Sequence, residues 1–417
     1  MPVPHRAPSR TRNPVHDLRG ATRLVIDATR GVTDLVEAMH AEISGGPRIL
    51  GRPIDTPARI ATRPVYGSIR YITGLVGTGL DVALAELAPA LGERSPGPKR
   101  EALLSALNGV VGDYLAETGN PLVIEMCLRH KSRPLPLERR ALRLALPQAG
   151  ARVLVLVHGS CLSDQSWASS GRDHAAALAR DLGFAPVHLL YNTGLHISTN
   201  GRTFAELLER LVAAWPRPVE ELVIVGHSMG GLVSRSACHR GEAAGHVWRR
   251  KLRALVCLGS PHQGAPLERW GHWVDQLLGV SPYSAPLARL GRVRSAGVTD
   301  LRIGYVLDEH WEGRDRFAHA RDDRARLDLP EGVECYAIAG TKAPRGAANR
   351  FGDGLVPVDS ALGRHLSPTL ALGFPEAHQW VAHGMNHFDL LRRPEVYAKI
   401  RSWLSSRPRH PRRSRRR

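Results

Sequence analysis

The sequence predicts an α/β fold, built on a mostly parallel sheet with helices on both of its faces. From about Gly119 onward, short apolar runs alternate with helix-length segments. Runs such as 153–157 and 222–225 are too short to form helices and apolar throughout, which is typical of strands covered on both faces. In addition, a glycine-flanked serine at position 228 stands between one of these runs and the helix that follows it.

The elements of this fold follow one another along residues 118–405, which we assign to one domain. Strand-like and helix-like segments alternate in the order RVLVLV, HAAALARDLG, PVHLLYN, FAELLERLVAAW, ELVIV, GGLVSRSACHR and LRALVCLG. A strand resumes at 332–341, and an amphipathic pattern over 392–404 predicts a closing helix. The insertion at about 267–330 is rich in Trp and Arg and is predicted to be a cap or lid.

Residues 17–117 form a separate helical region in this prediction. Apolar residues recur there near helical spacing, and this favours a small bundle or a collar packed on the main domain. Docking on a lipid surface and oligomerisation are alternatives. The most apolar stretch, 71–91, contains Asp81 and Glu86, so a membrane-spanning helix is not expected. Residues 1–16 and 406–417 are predicted to be disordered.

The charge of +18 raises the question of nucleic-acid binding. The tail at 407–417 carries seven arginines and no acid, and the remaining basic excess is scattered singly along the chain, so we predict no specific nucleic-acid binding. Some attraction to an anionic lipid surface is compatible with this charge. The five cysteines form no CxxC pair, which indicates buried thiols in a reducing compartment. No apolar segment of a secretory signal follows the basic N-terminus. We therefore expect a cytoplasmic protein, with peripheral contact to a membrane as an option.

The motif Gly226-His227-Ser228-Met229-Gly230-Gly231 carries the strongest chemical signal. It follows the strand ELVIV and precedes a helix. A serine on such a sharp turn adopts a strained backbone, and the flanking glycines remove Cβ atoms that would collide. The sequence therefore predicts Ser228 as a nucleophile.

A serine nucleophile needs a base and an acid that orients the base. Asp353 lies in the glycine-containing loop FGDGLVP after a strand, and His387 lies in GMNHFDLL before the last helix. We predict Asp353 as the acid and His387 as the base. Asp359 and Asp389 are rival acids, and His383 is a rival base.

Two backbone N–H groups should stabilise the oxyanion that forms during acyl transfer. The amide of Met229 is predicted to be one, and the amide of Ser160, in the loop after RVLVLV, is predicted to be the other, with Cys161 as the alternative. Cys161, His227 and Asn192 are candidates for lining the substrate pocket. No phosphate-binding loop, dinucleotide fingerprint or metal-ligand pattern is present, so we predict neither a cofactor nor a metal.

With these motifs assembled, residues 120–405 resemble the α/β-hydrolase superfamily, and within it the lipase and esterase branch. The segments VLVHGSC, GHSMGG, LGSPHQGAP, GDGLVP and NHFDLL carry this resemblance. It implies the α/β-hydrolase fold, with Ser228, Asp353 and His387 as nucleophile, acid and base. It also implies that His262, in LGSPHQGAP, is a supporting residue.

The predicted function is hydrolysis of carboxylic esters with apolar, lipid-like acyl chains through an acyl-enzyme intermediate. The alternatives are an acyltransferase or phospholipase with the same three residues, and a catalytically silent protein that binds lipid surfaces. A protein that binds nucleic acid through residues 407–417 is a third alternative.

Overall fold

The computed structural model describes residues 15, 17–27, 98–171, 173–266, 295–315, 322, 324–346 and 352–405. The predicted disordered tail, most of the predicted disordered N-terminus, helices predicted within 28–97 and the part of the predicted cap from 267 to 294 lie outside these residues. The described residues form two compact units. The larger contains 98–114 and 124–405, and the smaller contains 15, 17–27 and 115–123.

An eight-stranded sheet forms the centre of the larger unit. Its strands are β1 (Cys127–His130), β2 (Arg133–Pro134), β3 (Arg152–Val157), β4 (Ala185–Leu190), β5 (Glu221–His227), β6 (Leu252–Leu258), β7 (Glu334–Thr341) and β8 (Gln379–His383). Their order across the sheet is β2-β1-β4-β3-β5-β6-β7-β8. Strand β1 pairs antiparallel with β2 and β4, and all other pairs are parallel. The predicted, mostly parallel sheet is confirmed.

The described residues from 98 onward contain eight α-helices, of which the first precedes the sheet along the chain. They are α1 (Pro98–Glu117), α2 (Arg139–Ala145), α3 (His174–Leu182), α4 (Ile197–Ala214), α5 (Met229–Ala243), α6 (Ala296–Ile303), α7 (Val358–Ala361) and α8 (Pro394–Ser405). Short 3₁₀ helices lie at Asp164–Gly171, Val247–Lys251, Asp308–His310, Glu376–His378 and Asp389–Leu391. Within the described ranges, none of the helices combines the length and the apolar character that a membrane crossing requires.

Both faces of the sheet are buried, because successive side chains of a strand point to opposite faces. Val153 and Val155 of β3 join a core cluster that includes residues of α4 and α5. Leu154 and Leu156, the neighbours in sequence, join a second cluster that includes residues of α3 and α8. This explains why the central strands read as unbroken apolar runs rather than as an alternating pattern.

The smaller unit is held together by the buried side chain of Asn120. Its Nδ2 donates to the carbonyl of Gly20 at 3.1 Å, and its Oδ1 accepts from the amide of Leu122 at 3.0 Å. Residues 17–27 are helical. Residues 98–114 belong to the larger unit. The sequence had predicted a boundary between residues 117 and 118, with these residues on its N-terminal side.

Candidate active site

Ser228 lies on a sharp turn between β5 and α5. Its backbone has φ 54° and ψ −124°, a region that non-glycine residues rarely adopt. Its amide donates to the carbonyl of Leu258 at 2.8 Å, which ties the turn to the end of β6. The side chain is buried, and its Oγ has no hydrogen-bond partner among the described residues. A strained, buried serine with a free hydroxyl is the arrangement that the motif predicts.

The glycines beside Ser228 are required by close backbone packing. A Cβ atom at Gly226 would lie 2.6 Å from the backbone nitrogen of Gly231. A Cβ atom at Gly230 would lie 2.4 Å from the carbonyl oxygen of Val157. Both distances are below any that real Cβ atoms show. The turn therefore depends on glycine at both positions.

Asp353 and His387 form a buried pair. Asp353 lies in the loop after β7, and His387 lies in the loop after β8. Both therefore lie at the same edge of the sheet as Ser228, which follows the C-terminal end of β5. His387 Nδ1 donates to Asp353 Oδ2 at 2.7 Å, which leaves Nε2 as the nitrogen that can accept a proton. The other carboxylate oxygen, Oδ1, accepts from the amides of Leu355 at 2.9 Å and Val356 at 2.8 Å.

Two further glycines pack closely against Asp353 and His387, where a side chain would collide with them. A Cβ atom at Gly259, just after β6, would lie 3.2 Å from both Asp353 Oδ2 and His387 Cε1. A Cβ atom at Gly340 would lie 2.9 Å from the Cβ of Asp353. The ends of β6 and β7 thus wrap closely around the acid and the base. Neither glycine was predicted from the sequence to belong to the site, although Gly259 lies within the segment LGSPHQGAP.

The rival residues are placed elsewhere. Asp359 is exposed and lies 3.5 Å from Arg364. Asp389 accepts from the amide of Asn386 at 2.9 Å and so closes a local turn. His383 ends β8, and its Nδ1 has no hydrogen-bond partner among the described residues. Of these candidates, the structure brings together Asp353 and His387.

His227 occupies a supporting position rather than the pocket-lining one that we considered. Its ring is fully buried and lies 4.6 Å, between centroids, from the ring of His387. Because a carbonyl can only accept, His227 Nε2 donates to the backbone oxygen of His387, at 3.1 Å. Burial, followed by the nearby His387, lowers the pKa of His227 well below its ordinary value. A neutral His227 therefore holds the backbone of His387 against the turn.

The loop after β3 approaches the turn closely. A Cβ atom at Gly159 would lie 3.0 Å from the Cβ of Ser228, so residues 158–161 border the serine. The amide of Cys161 donates to Thr193 Oγ1 at 3.0 Å. That contact engages the amide of Cys161, the alternative donor in this loop. Met229 is the first residue of α5, directly after Ser228.

His158 and Cys161 are buried groups with little reactivity. His158 Nδ1 hydrogen-bonds to the carbonyl of Gly159 at 2.8 Å, and its ring stacks on Tyr191 with centroids 4.5 Å apart. Burial lowers the pKa of His158 to about 4, which keeps its ring neutral. Burial raises the pKa of the Cys161 thiol to about 12. Cys161 is therefore a poor nucleophile at neutral pH.

Helix α1 borders the same loop, which the sequence analysis missed. A Cβ atom at Gly109 would lie 2.1 Å from Cys161 Sγ. Asn192, a predicted pocket residue, instead donates from Nδ2 to the carbonyl of Gly112 at 2.8 Å and accepts at Oδ1 from the amide of Gly194. These contacts make Cys161 and Asn192 part of the support between α1 and the loops after β3 and β4. The two glycines on one face of α1 were the only signal of it in the sequence.

The N-terminal end of α1 is fixed by ion pairs. Arg129 of β1 forms ion pairs with Glu101 of α1 and with Asp164, each at 2.7 Å. The Arg129 side chain is 6% exposed, so these pairs are shielded from solvent and are not equivalent to surface ion pairs. Helix α1 thus lies firmly on the larger unit, beside the loop that carries Ser160.

Comparisons with known proteins agree with this architecture. A family model described as the PGAP1-like alpha/beta domain matches residues 148–322, a range that includes Ser160 and Ser228 and ends before Asp353. The search of curated proteins found no match. Among the part of the chain that is described, no group of three or more His, Cys, Asp or Glu residues could hold a metal ion.

Several solved structures are similar to this chain. The mature lipase BlEst2 of Bacillus licheniformis is 17% identical, with a TM-score of 0.40 over 68% of this chain and 98% of that one. A thermophilic esterase from Thermogutta terrifontis is 14% identical, with a TM-score of 0.36 over 62% and 90% of the two chains. The esterase Pf2001 of Pyrococcus furiosus is 14% identical, with a TM-score of 0.35 over 62% and 82%. Similarities this distant give no information about the substrate of this chain.

The predicted α/β-hydrolase fold is confirmed by the sheet and the family model. The sheet order and the match of the family model to residues 148–322 agree with the resemblance that the motifs predicted. The predicted cap is not confirmed, because residues 267–294 lie outside the described part of the chain.

Proposed function

We propose that this protein hydrolyses carboxylic esters in two steps, with Ser228 as the nucleophile. His387 Nε2 would take the proton from the Ser228 hydroxyl as Oγ attacks the ester carbonyl carbon, and Asp353 would stabilise the resulting imidazolium. The protonated His387 would then give its proton to the leaving alcohol. Water, activated by the same histidine, would release the acid and restore the serine.

The observation that carries this proposal is the buried contact of 2.7 Å between His387 and Asp353 at the edge where the strained Ser228 lies. An isolated buried carboxylate would be costly. Asp353 instead accepts hydrogen bonds from two backbone amides and from one imidazole, and these contacts fix the ring of His387. A ring fixed in this way would keep Nε2 available to accept the proton of Ser228.

The oxyanion of the tetrahedral intermediate would be stabilised by the amides of Met229 and Ser160. Helix α5 begins at Met229, so its positive N-terminal end supports the same charge. Removal of one such donor from a hydrolase costs roughly 10²–10³-fold in kcat. The engaged amide of Cys161 supports Ser160 as the second donor.

Labelling with a fluorophosphonate, followed by peptide mapping, tests the nucleophile. We expect one labelled peptide, containing Ser228, and no labelling of the Ser228→Ala variant. Ser236→Ala is a matched control. Ser236 lies on α5, is also buried, and its Oγ likewise has no hydrogen-bond partner among the described residues. Labelling that survives Ser228→Ala, or that disappears in Ser236→Ala, would contradict the proposal.

We propose an ester with an apolar acyl chain as the substrate, on the basis of the apolar helical segments in the sequence. A series of p-nitrophenyl esters from acetate to palmitate tests this. We expect kcat/KM to rise with chain length before it levels off, and a preference confined to acetate would reject the lipid-like substrate. The same series with an added alcohol acceptor separates release to water from acyl transfer.

A further inference from the structure

A polar pocket lies beside α5, away from the proposed catalytic residues. Its walls include Arg235 of α5, His262 and Gln263 of the segment after β6, and His310 and Arg324. It contains about 270 Å³ of empty space, part of which is open solvent. Arg235 comes seven residues after Ser228, about two helical turns along α5. The pocket is therefore distinct from the site at Ser228.

Arg235 brings a buried positive charge to this pocket. Its side chain donates to the carbonyl of Leu327 at 2.6 Å and to His262 Nδ1 at 3.4 Å. Burial lowers the pKa of Arg235 to about 10, so it still carries its charge at neutral pH. Among the described residues, no carboxylate forms an ion pair with it. Buried charges are normally paired, because an unpaired one costs several kcal/mol.

Arg324 adds a second guanidinium to the same walls. It donates to the carbonyls of His262 at 3.3 Å and Gly304 at 3.2 Å, and its Nε lies 3.2 Å from Asp322. Gly304 has φ 86°, a conformation that favours glycine, and this brings its carbonyl next to Arg324. A third arginine of the walls, Arg326, is paired with Asp328 at 2.6 Å. With two aspartates for three arginines, the described walls keep an excess positive charge.

Two N–H donors of the pocket are buried and have no acceptor. Arg235 cannot accept a hydrogen bond, so the Nδ1 atom of His262 must be the acceptor of their contact, and the proton of the neutral ring lies on Nε2. Burial lowers the pKa of His262 well below its ordinary value, which agrees with a neutral ring. His262 Nε2 and Arg235 Nε both lack a hydrogen-bond partner among the described residues. Such groups are rare in folded proteins and need an explanation.

We propose that this pocket binds an oxyanion, either a free anion or the phosphate or carboxylate group of a larger ligand. An oxyanion accepts several hydrogen bonds at once, so it would satisfy the free donors of Arg235 and His262. It would also neutralise the excess charge of the two arginines. Charge-assisted hydrogen bonds to guanidinium groups are among the stronger contacts in proteins. This site does not depend on the proposed ester hydrolysis.

Thermal unfolding of the full chain tests the site directly. At a Kd of about 1 mM, 10 mM phosphate would shift the folding equilibrium about 11-fold and raise Tm by about 3 °C. The reference is sodium chloride at equal ionic strength. Acetate, inorganic phosphate and glycerol phosphate form the three arms. A rise with glycerol phosphate as large as that with inorganic phosphate supports a phosphate carried by a larger ligand. A rise with the inorganic ion or acetate alone supports a free anion.

The variant Arg235→Gln should lose this rise in Tm. Arg180→Gln is the control, because Arg180 is an exposed arginine of α3 with 74% of its side chain accessible. The control should keep the full rise. No rise in the parent above that with chloride, in any arm, would overturn the proposal. An equal rise in Arg235→Gln would overturn it as well.

If Arg235→Gln fails to fold, amide hydrogen exchange of the parent protein, with and without phosphate, tests the same site. We expect inorganic phosphate to slow exchange in peptides covering 259–264 and 324–330, the two segments joined to Arg235. Peptides of α3 should be unchanged. Unchanged exchange in 259–264 and 324–330 would refute the site.

Discussion

Replacement of Asp353 by Asn should reverse the hydrogen-bond polarity of His387 without disturbing the fold. Asp353 Oδ1 accepts from two backbone amides at 2.9 and 2.8 Å. The Asn side chain must keep its oxygen there, since its NH₂ group would otherwise face two donors. Its NH₂ group then points at His387 Nδ1, which has to become an acceptor. The ring proton moves to Nε2, the nitrogen that should take the proton of Ser228.

A histidine in this tautomer cannot act as the base, and such a change lowers kcat by roughly 10⁴-fold. This corresponds to about 5 kcal/mol of transition-state stabilisation. Hydrolysis of p-nitrophenyl butyrate measures it, with circular dichroism as the check on folding. Asp359→Asn is the control, and as an exposed acid it should change kcat less than about twofold. If Asp353→Asn keeps more than a tenth of the parent activity, the reasoning about His387 is wrong.

The remaining predictions concern packing and pH. Gly230→Ala should reduce the free energy of unfolding by about 2–4 kcal/mol in urea titrations, because its Cβ would lie 2.4 Å from a carbonyl oxygen. Gly373→Ala, with open space around it, should stay within about 0.5 kcal/mol. Gly109→Ala should lower kcat/KM, because the added Cβ would push on Cys161 Sγ. The double variant Gly109→Ala/Cys161→Gly should recover most of the lost kcat/KM. If the two substitutions instead lower kcat/KM additively, the two positions are not coupled. His158 has a pKa of about 4 when folded and about 6.5 when unfolded, so the unfolded chain binds the extra proton. Stability should therefore fall as the pH drops from about 6.5 to 4, by up to about 3 kcal/mol from His158, and a flat profile in urea titrations would refute this.

The central sheet and the residues around Ser228 could be predicted because their signals are local. An apolar run such as 153–157 needs cover on both faces wherever it occurs. The glycines at 226 and 230 reflect packing within the turn itself. Asp353 and His387 follow the ends of later strands, and the ends of parallel strands share one edge of the sheet.

Other features depend on contacts that the sequence does not reveal. Strands β1 and β2 are joined by Lys131 and Ser132, both with positive φ, as a type I′ turn requires. The usual Asn-Gly signature is absent there, so the hairpin had no local signal. The docking of α1 through Gly109 likewise depends on where Cys161 lies, 52 positions along the chain. An amphipathic pattern shows that a helix has a buried face, but not what covers it.

The segment after β6 contacts both the proposed catalytic pair and the pocket around Arg235. At Gly259 its backbone lies against Asp353 and His387, and the positive φ of 57° favours glycine at that point. Three residues later, His262 turns away from that pair and contacts Arg235. One short segment is therefore held from both sides, by the proposed catalytic pair and by the basic pocket. Because interiors are closely packed, a shift of His262 would be passed to Gly259. The geometry of the proposed acid and base therefore depends physically on the charge balance around Arg235.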